Sequence, residues 1–306
     1  MASNSGELRG VLSVFQTPYH EDESIDFETL LREIEWIFSH GADGIVMAMV
    51  SETLRLDSNE REALAAAACA AARGKGTCVI SVGAESSRVA ERYATHAEAA
   101  GADGVMAIPP VSVGVGEDEL LRYFERILGA IAIPLVVQDA SGYVGRPMST
   151  ELQARMLREF GERIYFKPEA TPIGPKLSAL RDATGGRARV FEGTGGIALV
   201  DSFRRGIVGT MPGAEIIYAL VALWRALQGG DEERIYRLSL PIGALVAMQT
   251  SLDGFLAVEK YLLVKQGIFK NACVRGPVGF KLDDETAREV DRLMEKIQAA
   301  ARWPMR

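Results

Sequence analysis

Eight short apolar runs, separated by stretches of helical length, constrain this chain more than any other feature. They fall at 11–15 (VLSVF), 44–50 (GIVMAMV), 78–82 (CVISV), 104–108 (GVMAI), 134–138 (PLVVQ), 163–167 (RIYFK), 189–192 (RVFE) and 207–211 (IVGTM). Each is continuously apolar rather than alternating, the pattern of strands buried on both faces. Between them lie amphipathic segments at 27–40, 59–73, 88–100, 117–130 and 149–160. In the first, Phe27, Leu30, Leu31, Ile34, Ile37 and Phe38 follow a 3.6-residue period. Asp26 and Ser58 read as N-caps, and Gly41, Gly74 and Gly101 as helix stops. Strands alternating with helices predict a parallel sheet.

An internal echo selects the closed form of that sheet over an open, doubly wound one. HGADGIVMAMV begins at His40 and AGADGVMAIPP at Ala100, and a similar RRGIVGTMPG occupies 204–213. The first two are two βα units apart, and recurrence at even unit spacing suits a ring. The expected fold is therefore α/β, a (β/α)8 TIM barrel over 1–213, with a helical extension over 214–306 packed on it. That extension reads as helices at 215–228, 231–250, 252–267 and 283–302. The chain has 306 residues, long enough at about 150 per domain for two domains. No low-complexity linker divides it, however. A core of this size buries roughly three quarters of the unfolded surface and needs no disulfide or metal.

The charged residues narrow the partners. Thirty-four basic against 41 acidic side chains leave −7, which argues against nucleic acid and anionic membranes. Cys69, Cys78 and Cys273 are too scattered for a disulfide framework or a metal site, and read as small buried residues of a reducing compartment. His20, His40 and His96 form no zinc or triad pattern. The polar opening MASNSGELRG is no signal peptide, and no run of about 18 apolar residues spans a membrane. The expected location is the cytosol, the expected partner a small molecule, and no cofactor or metal is called for.

Barrel enzymes place their chemistry at the C-terminal ends of the strands. That rule nominates Gln16 and Thr17, Val50 to Glu52, Pro109 and Pro110, Gln138 to Ser141, Lys167 and Glu169, and the run from Gly193 to Gly196. Lys167 stands out. The chain has 8 lysines against 26 arginines, and the other seven fall on apparent helices or surface loops. An ammonium on a buried strand is costly to desolvate, so its pKa should fall. A neutral amine is what a Schiff base with a carbonyl substrate requires. The bland reading is a lysine that snorkels to the rim or pairs with Glu169. FEGTGGIA (191–198) matches GxGxxA, but a dinucleotide site would normally occupy the first βα unit rather than the seventh. The better reading is a substrate-facing loop whose amides approach an anion.

Four segments together resemble the Schiff-base lyase family of dihydrodipicolinate synthase and N-acetylneuraminate lyase. They are VFQTPYHEDESIDFETL, GIVMAMVSETLRLDSNER, IPLVVQDASGYVG and IYFKPEA. The resemblance covers about residues 10–213 well and the tail more loosely. It implies a barrel with C-terminal helices, a homo-oligomer (tetramer or dimer), and an imine formed by Lys167. Several positions depart from the pattern. The usual Gly-Thr-Thr-Gly-Glu reads Ala48-Met49-Val50-Ser51-Glu52, and the usual tyrosine after strand five is Gln138. Tyr143 stands for the synthase's arginine, a further tyrosine that the synthase uses after strand four is missing from Pro109-Pro110-Val111-Ser112, and Lys-Glu-Ala has become Lys167-Pro168-Glu169-Ala170.

Gln138, the KPEA motif, the glycine loop and GTMPG are similar to 2-keto-3-deoxy sugar-acid dehydratases, such as those acting on 2-keto-3-deoxy-arabonate. In that chemistry Lys167 attacks the C2 ketone, and Glu169 or a water it holds removes a C3 proton. The C4 hydroxyl then departs near Gln138 or Ser51. Amides of Val50 and Ser51 hold the C1 carboxylate, and Thr194 and Gly195 contact the distal hydroxyls. The alternatives are a pyruvate-dependent aldolase or synthase-type condensation through the same imine, a keto-acid-binding protein without turnover, and a barrel enzyme that forms no imine.

Overall fold

The computed structural model describes residues 7–302. Eight strands alternate with helices along the chain: β1 (Gly10–Val14), α1 (Phe27–Ser39), β2 (Gly44–Met47), α2 (Ser58–Ala72), β3 (Thr77–Ser81), α3 (Ser87–Ala100), β4 (Gly104–Ala107) and α4 (Glu117–Ala130). They continue with β5 (Leu135–Asp139), α5 (Thr150–Phe160), β6 (Ile164–Pro168), α6 (Ile173–Ala183), β7 (Phe191–Glu192), α7 (Leu199–Arg204), β8 (Gly209–Thr210) and α8 (Ile217–Gly229). The helices α9 (Glu232–Val246), α10 (Leu252–Lys265) and α11 (Asp284–Ala301) follow. All strand pairs are parallel, in the order β6-β5-β4-β3-β2-β1-β8-β7. The ring closes between β6 and β7, where Phe166 bridges Val190 and its N–H donates to the Arg189 carbonyl at 2.9 Å. The expected (β/α)8 barrel with additional C-terminal helices is what the chain forms.

The apolar runs are continuous because alternate side chains serve two cores. Val14, Val46, Val79, Met106, Val136 and Tyr165 pack together inside the ring. Their strand neighbours Ile45, Ile80, Val105, Val137 and Phe166 pack outward against the helices. With a side-chain period of two, neither face of a strand meets water. Helix α8, which the sequence reading assigned to the extension, packs on β1 and completes the eighth unit. α9 and α11 pack on each other and on α8, while α10 lies against the turn after β2. No helix among the described residues is long and apolar enough to cross a membrane.

Local signals fix several boundaries. Asp26 caps α1 by accepting the Thr29 N–H at 3.0 Å. α2 is capped one residue earlier than expected: Asp57, not Ser58, accepts from Asn59 and Glu60, and the Glu60 side chain returns to the Asp57 N–H. Strands β7 and β8 have two residues each, shorter than their apolar runs. Pro212 cannot donate to a ladder, so beyond β8 only its carbonyl serves, accepting the Val14 N–H at 2.7 Å.

Candidate active site

Strands β5 and β6 pair so that Gln138 lies beside Lys167. Since Tyr165 points into the ring and Phe166 out of it, the period of two turns Lys167 inward at the C-terminal end of its strand. The side chain is only 3 % exposed. Its Nζ donates to Glu169 Oε1 at 2.9 Å, and Glu169 Oε2 accepts from Gln138 Nε2 at 2.6 Å. Burial raises the Glu169 carboxyl above the ordinary range, against the opposing pull of Lys167 and Gln138. The glycine after β7 belongs to this arrangement. A Cβ on Gly193 would lie 2.6 Å from Lys167 Cε and 2.9 Å from Glu169 Oε1, so close approach rather than backbone freedom excludes a side chain there.

These groups open onto a narrow cavity. Val14, Met49, Val50, Tyr143, Leu252 and Phe255 form much of its wall, and Lys167, Glu169, Gln138 and Glu259 supply charge and hydrogen bonding. Burial, with help from Glu169, Glu192 and Glu259, pushes the Tyr143 hydroxyl well above its ordinary range. Of the residues singled out on sequence, Lys167, Gln138, Glu169, Val50 and Gly195 come together here.

Ser51 and Thr194 are engaged elsewhere. The chain makes one 3-10 turn at Met49–Ser51, in which the Ser51 N–H bonds the Ala48 carbonyl at 3.0 Å. The Ser51 hydroxyl accepts from Ala48 N at 3.0 Å and donates to the Phe15 carbonyl at 2.5 Å. The amides at the start of such a turn have no acceptor within it. Those are Met49 and Val50. Thr194 bonds the buried Glu192 carboxylate through its N–H at 2.6 Å and through its hydroxyl. The Thr210 hydroxyl donates to the other Glu192 oxygen at 2.7 Å.

Two buried groups escaped sequence reasoning. Lys260 lies on a helix, as read, but is fully buried. Its ammonium pairs with Glu52 and the Cys273 carbonyl, and lies 4.5 Å from the Tyr19 ring centroid. It does not line the cavity. Glu259, the residue before it, does. Nothing in the helical pattern of 252–267 marks either residue, because only the packing of α10 over the mouth brings them in.

A lysine and a carboxylate buried together at the strand ends of a parallel barrel stand where barrel enzymes carry their chemistry. The sequence model of the Dihydrodipicolinate synthetase family matches residues 7–297, and the chain belongs to that family. It is 26 % identical over 311 residues to an L-2-keto-3-deoxyarabonate dehydratase of Azospirillum brasilense, covering 99 % of each chain. Similarity to a 4-hydroxy-tetrahydrodipicolinate synthase of Bartonella bacilliformis is also 26 %, over 94 % of this chain and 97 % of that one. In fold it matches a putative dihydrodipicolinate synthetase of Pseudomonas aeruginosa with a TM-score of 0.89, at 24 % identity, over 95 % of this chain and 100 % of the other.

Proposed function

We propose that the protein is a hydro-lyase that removes water from a 2-keto-3-deoxy sugar acid through an imine on Lys167. The observation that carries this reading is the buried triad in which Lys167 Nζ meets Glu169 Oε1 at 2.9 Å and Glu169 meets Gln138. A carboxyl held above its ordinary range by burial is a better base, able to take the ammonium proton and free the amine. The amine adds to the C2 ketone and expels its oxygen as water. The resulting iminium acidifies C3, within reach of the same carboxylate. The leading amides of the Met49–Ser51 turn hold the C1 carboxylate. No organic cofactor or metal enters these steps, because the protonated imine is the electron sink.

Two features support this reaction over condensation. Among the described residues lining the cavity, Lys167 is the only cation, and none is an arginine that would hold a second carboxylate. The Azospirillum relative named for a dehydratase aligns over the whole chain. Aldol cleavage or a synthase-type condensation through the same imine is the second reading, supported by the Bartonella relative.

The test offers 2-keto-3-deoxy-arabonate and other sugar acids and follows both products. Formation of a dioxo acid is expected. Pyruvate release alone would move the assignment to an aldolase, and an adduct without turnover would indicate a keto-acid-binding protein. Borohydride with pyruvate should attach a single adduct to Lys167. Lys167→Ala should lose both the adduct and turnover; full activity in that variant would end the imine reading.

A further inference from the structure

The triad provides a base but no acid for the departing hydroxyl. Gln138 is neutral, and the Ser51 hydroxyl is spent between Ala48 and Phe15. Across the cavity, α10 contributes Glu259, a fully buried carboxyl that lines the same space. Its Oε2 accepts from Gln16 Nε2 at 2.7 Å, which fixes the group. Its other oxygen lies beside Gly213, where Glu215 of the β8–α8 connection brings a second carboxyl. Both converge on Gly213, where a Cβ would lie 2.4 Å from Glu215 Oε2 and 2.5 Å from Glu259 Oε1. Glu215 Oε2 is buried and has no hydrogen-bond partner among the described residues.

The surroundings add negative rather than positive charge. Glu33 of α1 is fully buried nearby and accepts the Gln16 N–H at 2.9 Å. Lys260, adjacent on α10, is committed to Glu52 and the Cys273 carbonyl. Tyr143 is neutral, and Lys167 is matched by Glu169. Two carboxyls this close, desolvated and without a cation of their own, do not both ionise. One of the two therefore keeps a proton, and Glu259 is the one that lines the cavity.

We infer that Glu259 is the general acid of carbon–oxygen cleavage, protonating the leaving hydroxyl, and that Glu215 is a positioning residue that keeps the proton on it. This rests on the imine reading above. Glu169 removes a C3 proton, the C–H pair forms the enamine C2=C3 bond, and the imine π pair moves to nitrogen. The nitrogen pair then restores C2=N, the C2=C3 pair shifts to C3=C4, and the C4–O bond breaks. The oxygen takes the Glu259 proton and leaves as water. Removal of a C5 proton and return of a proton to C3 carry the double bond to C4=C5, the resulting C5 enol tautomerises to the aldehyde, and hydrolysis of the iminium releases the dioxo acid and the Lys167 amine. One proton returns from the Lys167–Glu169 pair to Glu259 through solvent. Nothing is oxidised or reduced.

The experiment uses the full chain with 2-keto-3-deoxy-arabonate for turnover. Pyruvate in deuterated water serves as a probe of imine formation and proton removal without a leaving group. Glu259→Gln preserves shape and the contact with Gln16. It should lower dioxo-acid formation at least about a hundredfold while methyl exchange of pyruvate stays within about threefold of wild type. Dioxo acid at the wild-type rate, or exchange lost in step with turnover, overturns the proposal and leaves the imine standing. Wild-type protein that shows neither exchange nor a borohydride adduct overturns both. In Glu215→Gln, the neighbouring charge that holds the proton on Glu259 is gone. The alkaline limb of kcat should then move down by about one pH unit. An unmoved limb removes Glu215 from the mechanism.

Discussion

Lys167 and Lys260 are both buried lysines next to a glutamate, and their neighbours separate their uses. Lys260 is locked by Glu52 and a carbonyl away from any space a substrate could enter. Lys167 shares its single carboxylate partner with Gln138 and faces the cavity. The room for its side chain comes from Gly193. We expect Gly193→Ala to push the lysine off its position and reduce turnover by about ten- to a hundredfold. The borohydride adduct should form more slowly, with little change in thermal midpoint. Normal kinetics in that variant would mean that the Lys167 side chain has slack the packing does not suggest.

Elements here are set by local chemistry where caps exist and by ring closure where they do not. α2 carries a reciprocal cap, so Asp57→Ala should destabilise the protein by about 1 kcal/mol and lower its midpoint by roughly 2 °C. Calorimetry would check this, and an unchanged midpoint would show that the cap carries no energetic weight. α6 and α7 had no counterpart in the sequence reading. α6 carries Gly174 and Pro175 in its first turn, and α7 is six residues long, too short to display a helical period. The two-residue β7 and β8 survive because the ring holds them, with Gly209 fitted between Gly10 and Phe191.

At the scale of the whole molecule, the buried carboxyls tie stability to pH. Burial pushes Glu215 from 4.5 up to about 7, so the folded chain holds a proton that the unfolded chain releases in that window. Stability contributed by this group is present below about pH 4.5 and is lost as pH rises through 7. Glu33 and Glu259 are shifted the same way, chiefly by burial. Wild-type protein should therefore melt more easily at pH 8 than at pH 5. Glu215→Gln should gain about 3 kcal/mol relative to wild type between pH 4 and pH 8 in denaturant titrations. Equal differences at both pH values would contradict the burial of an ionisable pair.

The order of strands and helices, the barrel and the inward lysine were legible in the residues, because each follows from a periodicity or from the cost of burying a charge on a strand. That Gln138 and Glu169 stand near Lys167 followed from their place at the ends of strands five and six. Ser51 and Thr194 were read as substrate contacts because sequence gives position but not the direction of a hydroxyl. In the fold those hydroxyls bond buried neighbours. Glu259, Glu215 and Gly213 lie on a helix and a loop whose patterns look ordinary. Sequence alone determined which strands and which amine line the ring; the packing of α10 against its mouth decided what faces that amine, since contacts between segments far apart in the chain leave no local signal.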